Sequence, residues 1–172
     1  MITLKKIVSI LFAIMLLCST AFAESGVLLM GARDVRTPDF YHYVNEVFNN
    51  QDQKFVVGTN LQGEYQSFWF NKGFHSEQTP TEKDLSDFVK YVHYDNVLFL
   101  MVDEPLIETN KDGFPKSATF ASVNVKAFLA DGSSILKSTS TSKEDDSETS
   151  QLRAKRGAFK RCLQEVKSQL DL

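Results

Sequence analysis

Few residues in this 172-residue chain have types and spacings that could do chemistry. The three histidines, His42, His75 and His93, share no metal-ligand spacing with one another or with a cysteine. Gly-x-Ser-x-Gly, His-Glu-x-x-His and phosphate-loop patterns are absent from the sequence, so no metal or other cofactor is implied. Glu108-x-Asn110-x-Asp112-Gly113 sets oxygen side chains at alternate positions before a glycine, as a calcium loop does. Its twelfth position, however, is Thr119 where a bidentate glutamate is needed, and Pro115 restrains the loop, so a surface turn is the better reading. What remains are polar residues directly after apolar runs: Arg33 and Arg36 after Gly31, Asn60 after Gly58, and Asp103 with Glu104 after Val102. Open α/β sheets bind ligands beyond the carboxyl ends of their parallel strands. Arg33 and Arg36 beside a helix amino terminus suit an anion there, and Asp103 with Glu104 suit a cation or an amine. The plainer alternative is an ordinary polar rim, because every strand end needs polar turn residues.

Those positions require strands that end where the polar residues begin. Asn96–Val102 is the most apolar run after the amino-terminal segment and lacks polar alternation, so it is expected to be the central strand with both faces covered. Gly26–Gly31 and Lys54–Gly58 supply two more apolar strands. Between them Thr37 caps a helix with Pro38 at its first position, and Phe40, Tyr43, Val44, Val47 and Phe48 fall on one face. Leu61, Tyr65, Phe68 and Trp69 make the stripe of a second helix ending near Gly73, where a left-handed terminus fits. Thr79-Pro80-Thr81-Glu82 has capping-box spacing ahead of a third helix with Leu85, Phe88, Val89 and Val92 on its apolar face. A polar loop is expected from Asp103 to Ser117. Phe120–Ala130 then alternates, Asp131-Gly132 offers a two-residue hairpin turn, and Ser134–Lys137 returns, with the polar run Ser138–Ser142 as edge or loop. Asp145, Asp146 and Glu148 precede a last helix whose stripe is Leu152, Phe159, Cys162, Leu163, Val166 and Leu170, with Arg153, Arg156, Lys160 and Lys167 on its polar side as a solvated face. The expected fold class is α/β: one mixed sheet of about five strands in the order β-α-β-α-α-β-β-β-α, with a carboxy-terminal β-hairpin and a long terminal helix.

The chain opens with Lys5-Lys6, an apolar run from Ile7 to Leu17, and Ala21-Phe22-Ala23, which together have the form of a secretory signal peptide cut after Ala23. A membrane anchor is disfavoured because the run is shorter than the ~20 residues a spanning helix needs. Lipid attachment at Cys18 is disfavoured because bulky Leu17 precedes it. The expected division is therefore 1–23 signal peptide and 24–172 single α/β domain, exported to the periplasm or secreted. Removing the signal takes Cys18 away from Cys162, so the domain has no internal disulfide and its stability must come from its core. It also leaves 17 Lys+Arg against 22 Asp+Glu, a formal charge of −5, which argues against nucleic acid as a general partner.

Tyr94-Asp95-Asn96-Val97-Leu98 at the entry to the central strand, the hairpin Val123–Gly132, the alanine-bearing terminal helix and the element order resemble the small α/β domains of bacterial envelope proteins. These are the TolB amino-terminal domain, CsgG and LpoB. The resemblance implies a role in binding or assembly in the envelope, with a protein partner. No functional residue of those families has a matching position here. With no catalytic constellation in the sequence, a non-enzymatic module is expected; the alternative is a small-molecule binder or hydrolase using Arg33, Arg36, Asn60, Asp103 and Glu104.

Overall fold

The apolar run from Asn96 to Val102 is a strand with neighbours on both edges, and the domain is laid out from it. This computed structural model describes residues 25–32, 36–49, 55–74, 79–109, 112–115 and 118–172; the signal peptide and Arg33 lie outside them. In chain order the elements are β1 (Ser25–Gly31), α1 (Pro38–Phe48), β2 (Phe55–Val57), α2 (Thr59–Asn71), α3 (Glu82–Val92), β3 (Asn96–Val102), β4 (Leu106–Thr109), β5 (Thr119–Ala130), β6 (Ile135–Ser147) and α4 (Gln151–Leu170). β1 runs parallel to both β2 and β3, β3 pairs antiparallel with β5, and β6 follows β5 along its whole length. The sheet is mixed, as the element order predicts.

Six strands appear among the described residues instead of about five. The addition is β4, inside the segment expected to be loop. β3 pairs with Val125–Ala130 and β4 with Thr119–Ser122, so the two lie end to end along one edge of β5. Between them Asp103, Glu104 and Pro105 stand against only Val123 and Asn124, a one-residue bulge. Pro105 has no N–H for the ladder, and Leu106 is 70% exposed. β4 therefore exists because β5 offers it an unpaired edge, which local sequence does not display.

Alternation along the strands divides the core in two. Leu28, Met30, Val97 and Phe99 face Leu61 and Phe68 of α2 and Leu85, Phe88 and Val89 of α3. Val27, Leu29, Leu98, Leu100, Val123, Val125 and Ala127 face Phe40 and Val44 of α1 and Phe159, Cys162, Leu163 and Val166 of α4. Helices on both sides explain why β3 carries no polar alternation. The same parity leaves part of one face bare. Ser122, Asn124 and Lys126 of β5 lie on the α2/α3 side, beside Ser138, Ser140 and Ser142 of β6, and none of the six is buried.

Local chemistry moved several expected boundaries. The capping box of α3 is Thr81 with Asp84, two residues later than expected: the Asp84 N–H donates to Thr81 Oγ1 at 3.3 Å and the Thr81 N–H to Asp84 Oδ2 at 3.0 Å. The hairpin loop has four residues, Asp131 to Ser134, because the Asp131 carboxylate accepts both the Ser133 and Ser134 N–H groups at 2.7 Å. β6 extends through Ser138–Ser142 as an edge strand and takes in Asp145 and Asp146, so these acids do not sit in the first turn of α4; Ser150 caps that helix. Leu152, expected in the buried stripe, is 44% exposed in that first turn. The basic side of α4 is not simply solvated either. Arg156 pairs with Asp39, Lys160 with Glu46 at 2.7 Å, and Lys167 Nζ donates to the Val47 carbonyl at 2.7 Å, which fastens α4 to α1.

Candidate functional site

The parallel register sets Gly31 against Val102, so β1 and β3 end together, and the Ala32 N–H closes the pair by donating to the Val102 carbonyl at 3.0 Å. Gly31 has φ +98°, and a Cβ there would lie 2.0 Å from the Val102 oxygen. Only glycine fits this close approach. β2 ends earlier, at Val57 opposite Val27, and leads to α2 on the face opposite the one α1 covers.

Arg36 and Asn60, both expected at this rim, are exposed at the starts of α1 and α2. The two helix starts are bridged by the Tyr41 hydroxyl, which donates to Gln62 Oε1 at 2.9 Å. Burial raises the Tyr41 pKa and Arg36 opposes the rise. Burial raises Tyr65 further, with Asp84 adding to it and Trp69 and Arg36 opposing. Both phenols therefore stay protonated, as hydrogen-bond donors, at neutral pH. Sequence reasoning missed Tyr41 and Gln62 as the bridge between the two helix starts. Tyr65 was assigned to the packing stripe, while Tyr41 and Gln62 fall outside the apolar stripes and form no motif.

Asp103 and Glu104 are both exposed, and Asp103 is already engaged. Its carboxylate accepts from Asn124 Nδ2 at 2.6 Å and lies 3.9 Å from Lys126 Nζ, while its N–H donates to the Asn124 carbonyl at 3.1 Å. Asp103 thus continues the odd-numbered side of β3 and lies against β5 on the bare hairpin face. The strand-end residues divide into two groups: Arg36 and Asn60 at the starts of α1 and α2, Asp103 against β5.

Aromatic rings also reach the surface on α2 and α3. From Phe99 in the core, ring contacts run to Phe88 (6.0 Å between centroids), Phe68 (5.4 Å) and Tyr91 (5.4 Å). Trp69 stacks edge-on with Phe74 at 4.4 Å. Tyr91 is 49% exposed and Phe70, next to Trp69, is 82% exposed. Lys72 Nζ sits 4.7 Å over the Phe68 ring and is held by Asp84 and Asp87 at 3.3 and 2.9 Å.

The other candidates supply no reactive pair. Cys162 is buried, its thiol donates to the Val123 carbonyl at 3.2 Å, and burial pushes its pKa up to about 11, so the thiolate nucleophile is not formed at neutral pH. His42 and His93 are exposed, His93 at the left-handed terminus of α3; His75 and Asn110 of the calcium-like fragment lie outside the described residues. Among the described residues no three His, Cys, Asp or Glu side chains are grouped to hold a metal, and no helix is long and apolar enough to cross a membrane.

Comparison with known proteins finds no family model and no curated protein that matches the chain. Solved structures with a similar chain path include the hypothetical protein CT253 from Chlamydia trachomatis, at 10% identity and TM-score 0.49, covering 87% of this chain and 95% of that one. Lipoprotein GNA1162 from Neisseria meningitidis matches at 15% identity and TM-score 0.44, over 87% and 98%. The LpoB C-terminal domain from Salmonella enterica matches at 12% identity and TM-score 0.36, over 70% and 82%. LpoB is among the proteins the element order resembles. At these identities no role passes from them to this chain.

Proposed function

We propose that this protein is an exported, non-enzymatic module of the bacterial cell envelope, periplasmic or secreted once residues 1–23 are removed, that binds a protein partner through the aromatic end of α2 and α3. The observation that carries this reading is Phe70, 82% exposed beside Trp69, with Tyr91 49% exposed on the facing helix. Large rings anchor protein interfaces because they bury much area at little entropic cost, and a folded domain gains nothing by leaving them in water. The secretory form of the amino terminus supports the location, and the inert Cys162 and separated histidines support a role without turnover.

A second reading places a small-molecule ligand at the strand ends, with Arg33, Arg36, Asn60, Asp103 and Glu104 as its contacts. The polar contact between the starts of α1 and α2 favours it, because Tyr41 bonds Gln62 there beside Arg36. One experiment separates the two. The tagged chain is used for affinity capture from the producing cell's envelope alongside Phe70→Ser/Tyr91→Ser and Arg33→Ala/Asp103→Ala/Glu104→Ala, all checked for folding, and the parent is screened for hydrolysis. The expected result is a partner lost with the aromatic pair and retained by the triple variant. Capture that survives in the aromatic variant, or turnover in the parent that the triple variant loses, overturns the proposal.

A further inference from the structure

The free edge of β6 is a second surface, separate from the aromatic end of α2 and α3. Asn124 spends its carbonyl on the Asp103 N–H, on the β3 side of β5. Backbone groups alternate sides along a strand, so the odd-numbered residues of β5 turn theirs to β6. Their partners on β6 are also odd-numbered, Val125 opposite Thr141 and Ala127 opposite Thr139, so the even-numbered residues of β6 direct N–H and C=O outward. Arg161 independently reports that direction, since its guanidinium reaches round the edge to donate to the Glu144 carbonyl at 3.0 Å. That bond closes the edge at Glu144. From Leu136 to Ser142 no described strand pairs with it.

Natural edge strands are guarded by prolines, bulges or charges aimed outward. This stretch contains no proline, and its flanking lysines are drawn back over α4: Lys137 to the Leu170 carbonyl and Asp171, Lys143 to Glu165 at 3.3 Å. The five residues between them are Ser138-Thr139-Ser140-Thr141-Ser142. We propose that a second copy of this chain occupies the edge, β6 against β6, antiparallel about a two-fold axis at Thr139. In that register Leu136 faces Ser142 and Ser138 faces Ser140 as hydrogen-bonded pairs, Thr139 faces itself, and Lys137 faces Thr141. Ser–Ser and Thr–Thr neighbours of this kind support cross-strand pairing. Centring on Ser140 instead would oppose Lys137 to Lys143, and centring on Thr141 would require the Glu144 backbone that Arg161 holds. The self-pairing about Thr139 uses the whole open stretch without opposing like charges, and it joins two sheets into one.

Sedimentation velocity on the mature chain, from micromolar to millimolar concentration, tests this. The parent is expected to reach twice the monomer mass. Ser140→Pro removes an outward N–H and no β5 bond, so it is expected to stay monomeric with an unchanged circular dichroism spectrum. A parent that remains monomeric throughout, or a dimer unaffected by a folded Ser140→Pro, overturns the proposal. Should Ser140→Pro fail to fold, oxidation of Thr139→Cys decides: a disulfide-linked dimer is expected for Thr139→Cys and none for Ser142→Cys, which is six residues from its own copy across the pair. Absence of the link at 139, or an equal link at 142, overturns it.

Discussion

Replacing Gly157 with alanine pits helix propensity against one carboxylate. In the interior of α4 an unobstructed Gly→Ala change should stabilise by about 1 kcal/mol. The site is obstructed: a Cβ at Gly157 would stand 1.6 Å from Asp145 Oδ2, 2.7 Å from its Cγ and 3.2 Å from its Cβ. Asp145 has only two side-chain torsions, and turning it away breaks its 2.8 Å pair with Arg161. That pair is part-exposed at the Arg161 end (57%), so its loss costs about 1 kcal/mol at most. Holding the displaced carboxylate off its rotamer, or shifting β6 from α4, costs about 1–3 kcal/mol more. The losses exceed the gain, and Gly157→Ala should destabilise by about 1–2 kcal/mol. In an Asp145→Gly background the obstruction is gone, Cβ included, and the same change should stabilise by about 0.5–1 kcal/mol. Urea denaturation of the four-member cycle measures both signs, with equal m-values confirming that the unfolded state is unchanged. Stabilisation of the parent by Gly157→Ala, or the same sign in both backgrounds, refutes the reasoning.

Phe99→Ala should cost about 3–5 kcal/mol in the same assay, since Phe99 is fully buried on β3 and packs on Phe88; a loss below about 1 kcal/mol would mean the strand is not central. Asp84 is part-buried, which raises its pKa, but its bonds to Thr81 and Lys72 outweigh this and hold it below the ordinary 3.8. Its contribution to stability is therefore complete above that value and lost as pH falls through the depressed one, so Asp84→Asn should destabilise at neutral pH and be neutral in strong acid. A penalty that persists in acid counts against the carboxylate as its source. Intact mass of the exported protein should show a chain beginning at Glu24 without lipid, and a species starting at an acylated Cys18 would refute that cleavage.

The parts of the fold legible in the sequence are those where apolar residues repeat with a clear period. β3 was legible as Asn96–Val102 because seven successive residues without polar alternation have one economical home, between two layers of helix. The stripe Phe40, Val44, Val47 and Phe48 placed α1 in the same way. What was hidden depends on partners distant in sequence. Leu106-Ile107-Glu108-Thr109 has a charge, an exposed leucine and a preceding proline, and becomes a strand only because β5 outruns β3. Ser138–Ser142 has no apolar face to announce it and is held as a strand by β5 on one edge and by Thr139 bonding Gln169 of α4. The rim residues Arg36, Asn60 and Asp103 were legible as strand ends. That Asp103 meets Asn124 and Lys126 was not, because the register that sets β3 beside β5 joins residues distant in sequence.

The bare half of the sheet follows from the binary pattern of β5. Its odd-numbered residues Val123, Val125 and Ala127 are apolar and its even-numbered Ser122, Asn124 and Lys126 are polar, so the only face on which α4 can bury Phe159, Leu163 and Val166 is the one α1 already shares. α2 and α3 both lie in the crossover from β2 to β3 and are confined to the other face over β1 and β3. Among the described residues Ser138, Ser140 and Ser142 of β6 stay exposed on that face. The chain order therefore leaves the protein with exposed aromatic rings on the two crossover helices, and one long hydroxyl-lined edge where the sheet stops. The arrangement of helices around the sheet leaves both of these outside the domain's own packing.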